Sequence, residues 1–383
     1  MKKQKNYIPF NKPYISGEEQ TYINDVITSG NLSGNGKYTS KCEQLLQKKY
    51  GFKKIILTTS CTTALEMSAL LMDIKPGDEV IIPSFTFVST ANAFELFGAK
   101  IIFADSSEKN PNIDVSKIEA LITKKTKAIV VVHYAGIACD METLMKLVKK
   151  HKLFLVEDAA NSIDAFYKNK PLGSFGHFAT FSFHETKNIT SGEGGMLVIN
   201  DKKFEKRADI IKEKGTNRAS FMLGEVEHYS WIDKGSSFMP SEITAAFLFA
   251  QINNIDKVQL KRRTLWNTYF KQLEKRQQKK TFFLPEIPVY ADHNAHAFYI
   301  VCENNKSRTA LQNYLKEKNI SAPFHYLSLH KSHYFKKKYN GKNLINSDRY
   351  TDCLLRLPLF YELNTTEVVY ICDCINNFFS SKK

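Results

Sequence analysis

From about residue 53 onward, short apolar runs alternate with amphipathic stretches of helical length. Lys54-Ile-Ile-Leu-Thr58, Glu79-Val-Ile-Ile-Pro83, Lys100-Ile-Ile-Phe-Ala104, Lys127-Ala-Ile-Val-Val-Val-His133 and Leu153-Phe-Leu-Val-Glu157 read as strands. Helices are predicted between them, over 62–72 and over 91–97, the latter stopping at Gly98. Two more open near Asp114 and Asp140, whose side chains suit an N-cap. Strands apolar on both faces and separated by helices imply a mainly parallel sheet covered on each side. Sites in such sheets form beyond the C-terminal strand ends, which is where chemistry is sought.

A helical pattern over 241–277, broken midway, bridges to a second unit. There, strand candidates at 296–302 and 322–326 flank a helix over 307–318, and a helix over 366–379 closes the chain. The expected architecture is α/β: a large domain over 1–255, N-terminal segment included, and a smaller α+β domain over 256–383. No apolar run approaches membrane-spanning length, and the basic start has no apolar stretch behind it, so neither a membrane span nor secretion is expected.

Composition changes this picture little. Seven scattered cysteines, with no CxxC pair meeting a His cluster, fit a reduced cytoplasmic protein without a metal site. The net charge of +15 admits nucleic acid, a membrane surface or a small anionic substrate. The lysines are spread from end to end, no nucleic-acid-binding signature is present, and solvated faces would account for the excess equally well.

Candidate chemistry lies just past the strand ends. Ser182-Phe-His-Glu-Thr-Lys187-Asn188, followed by Gly192-Glu-Gly-Gly195, puts a lysine in a polar turn, where partial desolvation would lower its pKa and make it nucleophilic. Taken alone, Lys187 is one surface lysine among dozens. Val156-Glu157-Asp158-Ala-Ala160 places a carboxylate at a strand end, costly to bury unless it meets a cation. A protonated pyridine nitrogen is such a cation, and a carboxylate there with a lysine at the aldehyde carbon is what pyridoxal 5′-phosphate (PLP) chemistry requires. The same acid could equally cap the next helix. Thr58-Thr-Ser60-Cys61-Thr62 is a small-residue turn whose amides suit a phosphate, or an ordinary N-cap. In Pro83-Ser-Phe85-Thr-Phe87, one ring could stack on a planar cofactor or simply pack in the core.

The order phosphate turn, aromatic, aspartate, Ser-x4-Lys and Gly-rich turn resembles the fold-type-I PLP enzymes, and specifically the DegT-type sugar-nucleotide aminotransferases. The likeness runs over nearly the whole chain, from Gly30-Asn-Leu-Ser-Gly34 onward. Residues 182–188, 213–218, 235–238, Asn294-Ala-His296, Phe324-His-Tyr326 and Leu355-Arg-Leu-Pro-Leu-Phe360 look like the branch that aminates dTDP-4-dehydro-6-deoxy-D-glucose to dTDP-4-amino-4,6-dideoxy-D-galactose.

The resemblance implies roles. Lys187 would carry the cofactor and shuttle the proton, and Asp158 would pair with the pyridinium. Phe87 would lie over the ring, with Asn161 near its hydroxyl. Cys61, Thr62 and Ser182 would hold the phosphate. Ser237 stands where many relatives use Asn to reach the partner subunit's phosphate. Arg218, His325, Tyr326 and His330 fall where relatives approach the sugar nucleotide. The implied donor is glutamate, and the implied assembly a homodimer with shared sites, no nucleic acid and no membrane. Relatives that dehydrate the sugar carry His in place of the lysine, so Lys187 favours amino transfer. The gluco epimer, C3 amination of an isomeric ketosugar, and a non-catalytic binding or regulatory protein are the competing readings. The intact Lys187–Asp158 pair counts against the last.

Overall fold

The computed structural model describes residues 7–277 and 281–380. Its larger sheet draws on β1 (Lys54–Thr58), β2 (Glu79–Pro83), β3 (Lys100–Ala104), β4 (Thr126–Val132) and β5 (Phe154–Asp158). Two short pieces follow, β6 (Phe166–Tyr167) and β7 (Lys170–Pro171), and then β8 (Phe178–Ser182) and β9 (Gly195–Ile199). The order across the sheet is β1-β9-β8-β5-β4-β2-β3. All strands run one way except β9, which is antiparallel to β8 and β1.

Alternation along β4 explains why both faces are covered. Ala128 and Val130 enter one core with Met67 and Leu71 of the Cys61–Leu71 helix. Ile129 and Val131 enter another with Leu144 and Leu147 of the Met141–His151 helix. Successive side chains point to opposite faces, so an unbroken apolar strand needs a helix layer on each side. Asp114 and Asp140 are N-caps, accepting from Ser116 N–H and Thr143 N–H.

The bridging helix breaks at Asn254 into Glu242–Asn253 and Ile255–Gln277. Beyond it lie β10 (Phe282–Phe283), β11 (Ala291–Asp292), β12 (Phe298–Cys302) and β13 (Leu354–Leu357). β11 joins β6 and β7, while β10, β12 and β13 form an antiparallel sheet. Its core, with Leu265, Phe298, Leu311, Leu355 and Ile371, is closed by the helices Ile255–Gln277, Asn305–Glu317 and Thr365–Ser380. Ile8, on the first unit's side of the expected boundary, packs in this second core, its N–H bonded to Asn319 O at 2.8 Å. The strand expected over 322–326 is a single bridge, Phe324 to Leu355. Pro323 has no N–H to extend a ladder.

Among the described residues no helix is long and apolar enough to cross a membrane, and no three His, Cys, Asp or Glu side chains are grouped to hold a metal ion.

Candidate active site

Because β1, β2, β5 and β8 run parallel, their C-terminal ends open onto one edge of the sheet. The turn after β1, the Phe85–Thr90 segment, Asp158 and the Lys187 loop therefore converge there. Asp158, buried at the end of β5, accepts from Thr90 Oγ1 at 2.7 Å and from Ala160 N–H at 3.2 Å. Burial pushes its carboxyl up, against the pull of Thr90, Ala160 and the Lys187 charge. No basic side chain lies within ion-pair distance of it among the described residues. A buried carboxylate with two neutral donors lacks a cation, and the protonated ring nitrogen of PLP would supply one.

Lys187 Nζ donates to Asn161 Oδ1 at 2.9 Å. Burial lowers its pKa; Cys61 and Asp158 oppose the shift and the Arg356 charge adds to it. The amine is thus biased toward its neutral, nucleophilic form. Its neighbour Asn188 anchors the loop, donating to Gln259 Oε1 at 2.7 Å and lying 2.9 Å from His296 Nδ1.

The phosphate turn is a capping box. Ser60 Oγ accepts from Thr63 N–H at 3.1 Å, and Thr63 Oγ1 accepts from Ser60 N–H at 3.0 Å. Ser60 is therefore the cap, and Cys61 and Thr62 form the first turn of the helix, with Thr62 Oγ1 donating to Ser89 Oγ at 2.8 Å. Gly195 pairs with Thr58 on one side and Ser182 on the other. A Cβ at 195 would lie 2.4 Å from Cys61 N. Only glycine lets β9 bring Ser182 and the turn to one place, a cradle with the small residues and free amides that a phosphate needs.

Around the mouth, Phe87 is 56% exposed, its ring 6.1 Å from that of Tyr326. The Tyr326 ring lies 3.5 Å from that of His325. His325 Nδ1 meets Tyr134 Oη at 3.1 Å. Two hydrogen-bonded pairs, Lys187–Asn161 and His325–Tyr134, thus line the site, with the Tyr326 ring stacked against His325.

Three sequence candidates lie apart from these pairs. His330 is buried, with Nδ1 2.7 Å from Ser84 Oγ and Nε2 3.5 Å from Asp348. Its Nδ1 and its backbone N–H both meet Ser84 Oγ, so it ties its loop to the end of β2. Arg218 is exposed, 3.9 Å from Glu213, in a segment of apolar surface. Ser237 is exposed, although the next carbonyl, Phe238 O, accepts from Thr59 N–H beside the phosphate turn.

Thr90, Tyr134 and the His133–Glu157 pair carried no signal by themselves. Glu157 is fully buried and accepts from Gly173, Phe175 and Gly176 N–H at 2.7–2.8 Å. It also meets His133 Nε2 at 3.1 Å. His133 Nδ1 accepts from Cys139 N–H, which leaves the ring proton on Nε2, facing Glu157. This buried cluster fixes the end of β5 from below while Asp158 faces the site.

The model of the DegT/DnrJ/EryC1/StrS aminotransferase family matches residues 13–376. The chain belongs to this family. It is 32% identical to the GDP-perosamine synthase of Escherichia coli O157:H7 over 98% of this chain and all of that protein. It is 30% identical to the spore coat polysaccharide biosynthesis protein SpsC of Bacillus subtilis (strain 168), over 98% of each. The structure of Helicobacter pylori PseC, an aminotransferase involved in the biosynthesis of pseudoaminic acid, superposes with a TM-score of 0.90 at 25% identity, covering 98% of this chain and all of that one. As a DegT-family protein, this chain is a PLP-dependent sugar aminotransferase of fold type I.

Proposed function

We propose that this DegT-family aminotransferase moves an amino group from glutamate to C4 of dTDP-4-dehydro-6-deoxy-D-glucose, giving dTDP-4-amino-4,6-dideoxy-D-galactose, as a cytoplasmic homodimer with shared sites. The observation that carries the transfer is the arrangement of Lys187, a half-buried amine held by a neutral amide, with Asp158, a buried carboxylate without a cation. The choice of sugar rests on the likeness of residues 182–188, 213–218 and 355–360 to one branch of the family.

PLP, when bound, supplies a ring that takes up the electron pair left as the donor loses its α-proton. The chain's own contributions follow from the geometry. Asp158 keeps a proton on the ring nitrogen, and Thr90 holds the carboxylate in place. With PLP in place, Nζ of Lys187 would serve as the base that takes the proton from the donor's α-carbon and as the acid that delivers it to the cofactor's carbon. Asn161 orients that amine. Cys61, Thr62 and Ser182 are assigned to the phosphate, and Phe87 to the face of the ring.

The segment 221–232 supports the dimer. Met222, Leu223 and Trp231 are 73–80% exposed there, an apolar surface suited to a second copy of the chain. On this reading, Arg218 and Ser237 act on the partner's site, which would explain their distance from Lys187.

The test is proton NMR of the product formed from the dTDP-ketosugar, glutamate and PLP. A small H3–H4 coupling establishes an axial amine and the galacto product; a large one reverses the sugar face. Turnover only with a GDP-linked 4-ketosugar would overturn the nucleotide assignment, a reading that the likeness to GDP-perosamine synthase favours.

A further inference from the structure

The segment after β3, the strands β10 and β12 and the helices Ile255–Gln277 and Ile345–Cys353 enclose a cleft of about 900 Å³. None of the residues assigned to the Lys187 site lines it. Its walls are largely aromatic. Trp266 and Phe270 stack with ring centres 5.4 Å apart and planes 13° off parallel, and Phe283 of β10 is 39% exposed. A cleft of this size and lining suits a small organic molecule with a flat apolar body, and two polar features narrow its chemistry.

Tyr299 and Val301 line the cleft, while Phe298 and Ile300, alternating with them on β12, enter the second core. Tyr299 is 1% exposed, and its hydroxyl has no hydrogen-bond partner. Tyr350 and Glu286, which act electrostatically on that hydroxyl, also line the cleft. A buried hydroxyl left unpaired is costly, so an acceptor that reaches it from the cleft is stabilising.

Arg349 stands half-buried at the edge, its guanidinium 5.4 Å from the centre of the Phe283 ring. Nη1 donates to Glu108 O at 3.2 Å, and no carboxylate pairs with the group among the described residues. Lys109, by contrast, lies 3.4 Å from Glu286 and is already matched. One free fork suits one carboxylate, and the exposed Glu108 side chain disfavours a more highly charged ligand such as a diphosphate.

We propose that this cleft is a second ligand site, taking a planar aromatic carboxylate with a hydrogen-bond acceptor in its ring. The ring lies among Trp266, Phe270 and Phe283, the carboxylate meets Arg349, and the ring acceptor takes the Tyr299 proton. The inference is independent of the sugar and the donor proposed above.

The test is calorimetry of the PLP-loaded protein with quinoline-3-carboxylate, quinoline-3-carboxamide and 2-naphthoate. The first has every feature, the second lacks the charge, and the third lacks the ring acceptor. Quinoline-3-carboxylate should bind with a Kd below about 1 mM. Arg349→Met should weaken it by about 10- to 100-fold, the range for losing a charge-assisted hydrogen bond, and leave the carboxamide unchanged. Phe283→Ala should weaken all three. Tyr299→Phe should remove the preference for quinoline over naphthalene. No binding at about 10 mM, or an affinity unmoved by both Arg349→Met and Phe283→Ala, would overturn the site. A preference for quinoline that persists in Tyr299→Phe would overturn the role given to the hydroxyl.

Discussion

Lys187 Nζ donates to Asn161 Oδ1 at 2.9 Å and meets no carboxylate at that distance. A neutral acceptor fixes the amine's position without stabilising its charge, so burial is free to lower its pKa. Asn161→Asp would replace the neutral partner with an anion and raise the amine's pKa. The limb of the rate profile that needs neutral Lys187 should then move to higher pH by about one to two units. A pH series of single-turnover rates with glutamate checks this, and an unmoved limb would remove Asn161 from the site.

Lys187→Ala should abolish the absorbance that borohydride removes from the holoenzyme. It should slow transfer by on the order of 10⁴, since no other group supplies both nucleophile and proton carrier. Mass spectrometry after borohydride reduction gives an independent reading, with the cofactor mass expected on the peptide containing Lys187.

Asp158→Asn keeps the shape and the Thr90 contact but removes the charge owed to the ring nitrogen. Transfer should fall by about 10²–10³, the usual loss on deleting a preorganised electrostatic partner. Wild-type rates would refute the pairing.

Glu157 makes a prediction about stability rather than rate. Burial would raise its pKa, but His133 and the amides of Gly176 and Gly173 outweigh burial and hold it below the usual carboxylate range. A depressed folded-state pKa stabilises the fold above the unfolded value of about 4.3, and this contribution is lost as pH falls through the folded value. Glu157→Gln should cost about 3 kcal/mol or more at neutral pH. Its urea midpoint should depend less on pH than that of the wild type between about pH 5 and 3.

Trp231→Glu places a charge on the apolar surface assigned to the partner. Sedimentation should show a dimer in the wild type, and in the variant dissociation at a concentration at least about tenfold higher. An unaffected dimer would move the interface elsewhere.

The first unit was legible because its strands are apolar on both faces, and because Asp114, Asp140 and Gly98 mark element ends. The Lys187 loop and Asp158 were legible as residue types at strand ends. Three things were not. The helices Glu19–Ser29 and Lys37–Tyr50 bury narrow faces, the latter mainly Tyr38, Cys42 and Leu46, within otherwise polar sequence. β13 is four residues long and is defined by its pairing with β12 rather than by its own pattern. His330 reads as a ligand beside His325, yet Ser84 at the end of β2, distant in sequence, holds its Nδ1 and its backbone N–H.

β9 contributes no side-chain chemistry, yet Gly195 pairs at once with the last residue of β1 and the last residue of β8. The phosphate turn and the lysine loop are thereby gauged against one common strand, and a slip of a single residue would separate them and invert the faces of the strand. This divides the scaffold for anyone wishing to re-engineer its specificity. Re-engineering should leave the β9 register intact and alter specificity by side-chain substitution, in the 216–234 and 324–330 segments outside its pairing, rather than by insertion or deletion.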